Sequence, residues 1–196
     1  MKELFISSSF NFINNHKNLS EYEKIKIKYG LEVMYHFITK TSFVLLISLI
    51  FNIFWETILT FFLFGILRTF CHGIHAKSNL LCWILTLSTY IINGICCKLI
   101  QFNIPLKITI IVITSIHIIL FSPSDTIYRP IRKKEHRIKL KTNSILICIL
   151  YDILTLKLNN IISRCLLSSL ILISISISPL TYKVLKMSRN NYKVPT

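Results

Sequence analysis

Arg68, Cys71, His72, His75, Lys77 and Cys82 fall within fifteen residues, RTFCHGIHAKSNLLC, between two of the most apolar stretches of the chain. Two kinds of chemistry are open to such a set. A cysteine thiolate attacks an acyl carbon far better than a thiol does, and an imidazole takes the thiol proton near neutral pH and later returns it to a leaving amine. His75 and Cys82 are the candidate pair for that reaction. Alternatively, Cys71, His72, His75 and Cys82 are ligand types that suit zinc, although their spacing matches no common structural zinc pattern. The plainest alternative is packing, because free cysteines are often small buried hydrophobes.

Catalysis constrains the local fold. On one continuous helix, seven residues would place His75 and Cys82 on one face but about 10.5 Å apart along the axis. A hydrogen bond cannot span that distance, so the helix must begin between them. Ser78 is a suitable N-cap, which puts Asn79 first in the helix and Cys82 in its opening turn. There the helix dipole favours a thiolate, and Lys77 adds positive charge. Gly73 lets the preceding segment fold back and bring His75 over the helix end.

The surrounding elements must be membrane helices. Of 196 residues, 53% are apolar and only 16% charged, against roughly 25% in ordinary soluble domains. The fold class expected is all-α, a single polytopic membrane domain over residues 1–196. Residues 1–40 form an amphipathic N-terminal region, in which Ser20 and Glu23 make a capping box ahead of a surface helix. No apolar core of signal-peptide length opens the chain, so its first span is expected to be its own insertion signal. Residues 41–67 are apolar except Asn52 and Glu56 and read as a membrane hairpin bent there. Four full transmembrane helices follow, near 80–98, 105–121, 144–158 and 161–181, giving six hydrophobic helices in all. Residues 68–82 hold the catalytic loop and helix start, and 122–143 form a basic loop.

Charge orients this arrangement. The net charge is +15, from 23 Lys and Arg against 8 Asp and Glu. The positive residues flank apolar segments, which points to lipid headgroups and the positive-inside rule and away from nucleic acid. Seven of them lie in the loop at Arg129, Arg132, Lys133, Lys134, Arg137, Lys139 and Lys141, six in the first forty residues and four after Tyr182. All three regions, and hence both termini, are expected on the cytoplasmic side. Residues 68–78 then face the cytoplasm too, and 41–67 must cross an even number of times, as two short spans or one re-entrant pair.

The run Arg68, His72-Gly73-Ile74-His75-Ala76, Cys82 resembles the signature of the accessory gene regulator B (AgrB) family of bacterial quorum-sensing peptide processors. An amphipathic region ending near KYGLEV, the loop SPSDTIYRPI and the order of hydrophobic segments extend the likeness over essentially the whole chain. The resemblance implies a cell-membrane cysteine endopeptidase that needs no cofactor and no metal. Its substrate would be a small AgrD-type precursor peptide, which it cleaves and helps to cyclise to a thiolactone or lactone signal. Cys82 would be the nucleophile and His75 the general base, with Arg68 and Gly73 shaping the site or touching substrate. Many members carry Gly-Gly where this chain has His72-Gly73, so a stiffer loop is expected here. The basic loop is either topogenic and headgroup-binding or, through Arg132, Lys133 and Lys134, a dock for the precursor's acidic tail. A homodimer is a further expectation, and a peptide exporter or scaffold without proteolysis is the alternative function.

Overall fold

The apolar stretch beginning at Thr41 bends where polar residues interrupt it. Helix α2 (Glu21–Ile50) ends in a Schellman arrangement: the Ile53 N–H donates to Ser48 O at 2.9 Å and the Asn52 N–H to Leu49 O at 3.0 Å. Asn52 takes the required positive φ of 54°, a conformation asparagine tolerates better than most residues. Helix α3 (Phe54–Cys71) begins directly after this turn. The bend expected between Asn52 and Glu56 thus falls at residues 51–53.

The computed structural model describes residues 2–16, 20–74, 78–126 and 130–189. Ahead of α2 lies α1 (Lys2–His16), and after α3 come α4 (Asn79–Leu99), α5 (Ile104–Phe121), α6 (Lys134–Lys157), α7 (Ile161–Ile177) and the short α8 (Pro179–Val184). No strand occurs among the described residues; one isolated parallel bridge joins His72 and Ser124. The all-α membrane class is therefore correct.

Residues 1–47 and 48–196 form separate compact units. In the first, α1 packs on the start of α2 through Phe5 against Tyr35 (ring centroids 5.6 Å) and Lys28 over the Phe10 ring at 4.7 Å, and Lys2 pairs with Glu32. The sequence reading assigned no element to α1. It also treated the amphipathic stretch as a helix separate from the hairpin, whereas α2 is one helix of 30 residues. Ser20 opens it with the expected capping box: its N–H donates to Glu23 Oε2 at 2.9 Å, and the Glu23 N–H donates to Ser20 Oγ at 3.4 Å. No breaker stronger than Gly30 follows, and one glycine costs only about 1 kcal/mol in a helix.

In the second unit α7 is the axis, with α3, α4, α5 and α6 packed around it. Leu166, Leu167, Leu170, Ile173 and Ile177 of α7 are fully buried or nearly so. Cys165, Ser168 and Ser169, small and also buried, let neighbouring backbones approach closely. Polar glue crosses three helices, because Asn93 Nδ2 donates to Thr60 Oγ1 at 3.0 Å and Ser168 Oγ at 3.2 Å. Gly94 makes room for Thr57 and Ile53, whose side chains would meet an added Cβ at 2.8 and 2.9 Å.

The helices alternate in direction, so their connections gather at two ends. Lys98 Nζ reaches Asn52 O, Arg164 Nη1 reaches Lys98 O, and Lys107 Nζ reaches Leu158 O. Residues 51–53, 99–103 and 158–160 therefore share one end. Residues 72–74, 122–126 and 176–178 meet at the other, called the loop end below.

Among the described residues four helices are long and apolar enough to cross a membrane: α2, α3, α4 and α5. The chain is a multi-pass membrane protein. Helices α4 and α5 match the expected spans at 80–98 and 105–121, with Asn103 capping α5 and Pro105 in its first turn. Helix α6 starts ten residues before the expected 144, so the second half of the basic segment 122–143 is helical. Helix α7 stops at Ile177, short of the expected 181. Ser178, preceding Pro179, is held extended (φ −63°, ψ 132°) and caps α8 instead.

Candidate active site at the loop end

The site begins where α3 ends. The His72 N–H still donates to Arg68 O at 2.9 Å, but His72 itself adopts φ 60°, ψ −125°, and Gly73 follows at φ 114°. Two consecutive positive φ values turn the chain sharply off the helix axis. Glycine adopts such a conformation freely; histidine does so only under strain. Gly73 turns the chain here, and the unusual residue is His72, which takes a positive φ without being glycine.

The turned segment is then locked. The Gly73 N–H donates to Ser124 O at 3.0 Å, the Ser124 N–H to Cys71 O at 3.0 Å, and the Ile74 N–H to Ser176 O at 3.1 Å. Arg68 Nη2 donates to Ile74 O at 2.6 Å, with the guanidinium 5.7 Å from the Phe64 ring centroid. Both backbone polar groups of Ile74 are therefore held, one by α7 and one by α3.

Ser124 belongs to the first part of the expected basic loop 122–143, and that part is buried. Ser122, Ser124, Asp125 and Thr126 are all at most 5% exposed. Ser122 Oγ shares a hydrogen with Ser144 Oγ of α6 at 2.7 Å, and Ser124 Oγ donates to Phe121 O at 2.9 Å and Ile177 O at 3.3 Å. Arg189 covers the same corner, its Nη2 donating to Phe121 O at 3.0 Å and its guanidinium 4.8 Å from the Phe121 ring. Beside them Tyr182 is buried outside the spans. Burial, and then the Asp125 carboxylate, push its phenol up to about 12.

A cavity of about 400 Å³ opens against this construction, lined by Arg68, Thr69, His72, Gly73, Ser124 and Thr126, with Gly65 behind them. His72, expected only to stiffen the loop, lines the cavity. Ser124, Thr126 and Ser176 were missed. The Pro-bracketed SPSDT run was their only sequence signal; nothing singled out Ser176 among the serines of α7.

Ser78 caps α4 as expected, in extended conformation with its Oγ accepting from the Leu81 N–H at 3.2 Å. The Cys82 N–H donates to Ser78 O at 3.0 Å, which places Cys82 in the opening turn, partly exposed, at the positive end of the helix dipole. His75 and Lys77 lie outside the described residues, as does Arg129. Cys71 is fully buried beside the Ser122 and Ser144 hydroxyls. Glu56 is buried in the first turn of α3, at the end opposite the loop end. Asp152 accepts from Ser115 Oγ at 2.7 Å between α5 and α6. Of the expected docking residues, Arg132 and Lys134 share a groove with Arg137, Ile138 and Lys141, and Lys133 does not line it.

The model of the accessory gene regulator B family matches residues 6–177. An AgrB-like protein of Clostridium acetobutylicum is 31% identical over 181 residues, 92% of this chain and 87% of its own length. The accessory gene regulator protein B of Staphylococcus haemolyticus is 27% identical over 87% of this chain and 90% of its own. An AgrB-like protein of Listeria innocua is 28% identical over 86% of this chain and 83% of its own. No solved structure matches. With the family model covering residues 6–177 and a relative 31% identical over 92% of this chain, the chain belongs to the accessory gene regulator B family.

Proposed function

We propose that this protein is a membrane cysteine endopeptidase of an accessory gene regulator quorum-sensing system, processing an AgrD-type precursor peptide. Cys82 is the nucleophile and His75 the general base. The observation that carries the reading is the placement of Cys82 in the first turn of a Ser78-capped helix, four residues after that cap. The segment leading to His75 is built with equal care, because Ile74, its covalent neighbour, is held at both its N–H and its C=O.

In the proposed reaction His75 takes the Cys82 proton, and Cys82 Sγ attacks the carbonyl carbon at the C-terminal end of the future signal. The peptide C–N bond breaks as His75 protonates the leaving amine, and an acyl-enzyme thioester remains. A cysteine thiolate within the peptide then attacks the thioester carbon, releasing the Cys82 thiolate and closing a thiolactone. A serine hydroxyl in its place would close a lactone, with its proton passing to the base. One thioester replaces another, so the exchange is nearly energy-neutral and water must be kept from the intermediate. A site between membrane helices serves that end.

Charge supports a cytoplasmic loop end. Among the described residues Arg68, Arg132, Lys133, Lys134, Arg137, Lys183, Lys186 and Arg189 lie in or beside its segments, against Lys98, Lys107, Lys157 and Arg164 at the opposite end. That asymmetry matches the positive-inside rule. The decisive experiment replaces Cys82 with Ser and His75 with Ala and follows precursor cleavage in membranes containing normal amounts of each variant. Both changes should abolish cleavage. Wild-type cleavage by Cys82→Ser would end the peptidase reading in favour of an exporter or scaffold.

A further inference from the structure

The basic segment is more organised than a topogenic charge run requires. Lys134, Arg137, Ile138 and Lys141 recur at helical spacing on one face of α6, and Arg132 approaches from the preceding strand of chain. Together they enclose a groove of about 440 Å³. No carboxylate among the described residues lines it. Its one apolar lining residue is Ile138, 56% exposed, alongside four cations. A docking site for a purely charged partner has no use for that residue.

The groove also sits at a definite level. From Lys134 to Lys141 the helix rises about 10 Å, enough to span one headgroup layer of about 5–7.5 Å. Beyond Asn143 the helix carries almost no charge. Leu146, Ile149 and Ile153 continue the Ile138 stripe at helical spacing, and they are exposed by 59, 50 and 47%. Three cations of α6, with Arg132 just ahead of it, therefore lie at one end of an exposed apolar stripe on that helix.

We propose that this groove is a binding site for an anionic phospholipid, with the phosphodiester among Arg132, Lys134, Arg137 and Lys141. One acyl chain would lie along Ile138, Leu146, Ile149 and Ile153. The chemistry is that of charge-assisted bonds from guanidinium and ammonium groups to phosphate oxygens. Bulk attraction to an anionic surface would act on every cation at the loop end alike; a built site depends on these four. The assignment is independent of the catalytic reading.

The test reconstitutes the full chain in bilayers of phosphatidylcholine and phosphatidylglycerol in equal parts. It measures the phosphatidylglycerol retained per protein after mild detergent extraction. The variant Arg132→Gln/Lys134→Gln/Arg137→Gln/Lys141→Gln should retain at least about ten-fold less than wild type, given the contribution of each basic residue. A control with the same charge removed nearby, Lys133→Gln/Lys139→Gln/Lys183→Gln/Lys186→Gln, should retain the wild-type amount. The single change Ile138→Glu, which sets a carboxylate in the groove, should also lose the lipid and guards against misfolding of the quadruple variant. Equal loss in groove and control variants overturns the site, as does retention by both groove variants. Displacement of the lipid by inorganic phosphate would make it a general phosphate site. Displacement by a soluble glutamate-rich peptide would make it a peptide dock. Either result overturns the lipid assignment.

Discussion

The turn at His72 and Gly73 offers a prediction whose size follows from the geometry. Changing Gly73 to Ala forces a side chain into φ 114°, a backbone region costing about 1–3 kcal/mol for non-glycine residues. The new Cβ would stand 2.8 Å from Ser176 Oγ and 3.0 Å from Ser176 O. The hydroxyl can rotate, but the carbonyl cannot move without losing its bond from the Ile74 N–H, worth about 0.5–1.5 kcal/mol. The locked segment should therefore open more easily by about 2–4 kcal/mol while the helices stay packed. Hydrogen exchange at the Gly73 and Ile74 amides, followed by mass spectrometry of the peptide covering 71–78, reads this directly. Exchange should quicken by about 30-fold or more, at 1.4 kcal/mol per factor of ten, and precursor cleavage should fall with it. His72→Gly should act in the opposite direction. It removes strain of the same order and returns only about 0.5–1 kcal/mol of glycine entropy, so exchange slows. Gly65→Ala is the control, because it lines the same cavity, sits in a helix and has nothing within 4 Å of an added Cβ. Wild-type exchange and cleavage in Gly73→Ala, or equal damage from Gly65→Ala, would refute the reasoning.

Arg68→Gln removes the charge-assisted bond to Ile74 O and should cost about 1.5–3 kcal/mol of local stability. Arg68→Lys keeps one donor and should fall between Gln and wild type in both amide exchange and cleavage; full activity in Gln would show that the clamp is dispensable. At the opposite end, Lys107 is 5% exposed and its Nζ donates to Leu158 O, Asn159 Oδ1 and Ser163 Oγ. Lys107→Met leaves those acceptors unmet and should lower the thermal midpoint in detergent by the equivalent of about 1–3 kcal/mol, with cleavage unchanged at low temperature. Tyr182, at 10 in the unfolded chain, is pushed up to about 12 by burial and Asp125. Its neutral form stabilises the fold fully below pH 10, and that contribution drains away between pH 10 and 12 as the unfolded chain ionises first. A pH series of thermal midpoints should fall less steeply above pH 10 in Tyr182→Phe than in wild type; identical slopes would place the alkaline loss elsewhere.

Much of the architecture is legible along the chain because membrane helices announce themselves by composition and length. The spans α4 and α5 lie within a residue or so of where hydropathy puts them. Local chemistry is legible too: Ser20 with Glu23, Asn103 with Pro105, and Ser78 ahead of Cys82 each place a helix start, since capping depends only on residues within one turn. The bend at Asn52 follows from one residue able to adopt positive φ inside an apolar run. Misjudgements came where neighbours in sequence say little. α1 gains its partners only by packing on α2, and the helical start of α6 was hidden beneath its lysines and arginines.

Residue types and spacing were enough to single out His75 and Cys82, to require a helix start between them and to demand glycine at position 73. They were silent on what holds that turn. Gly73 is fixed by Ser124, fifty-one positions away, and Ile74 by Ser176, over a hundred away, with Arg68 closing the other side. Those bonds exist because α7 passes through the middle of the bundle and returns its end to the turn, burying the first part of the loop 122–143. A hydrogen bond between distant backbone groups leaves no mark in composition or periodicity. The choice of candidate residues is thus a local property of this chain, whereas the cavity at Arg68, His72 and Ser124 and the strain at His72 are properties of the packed helices.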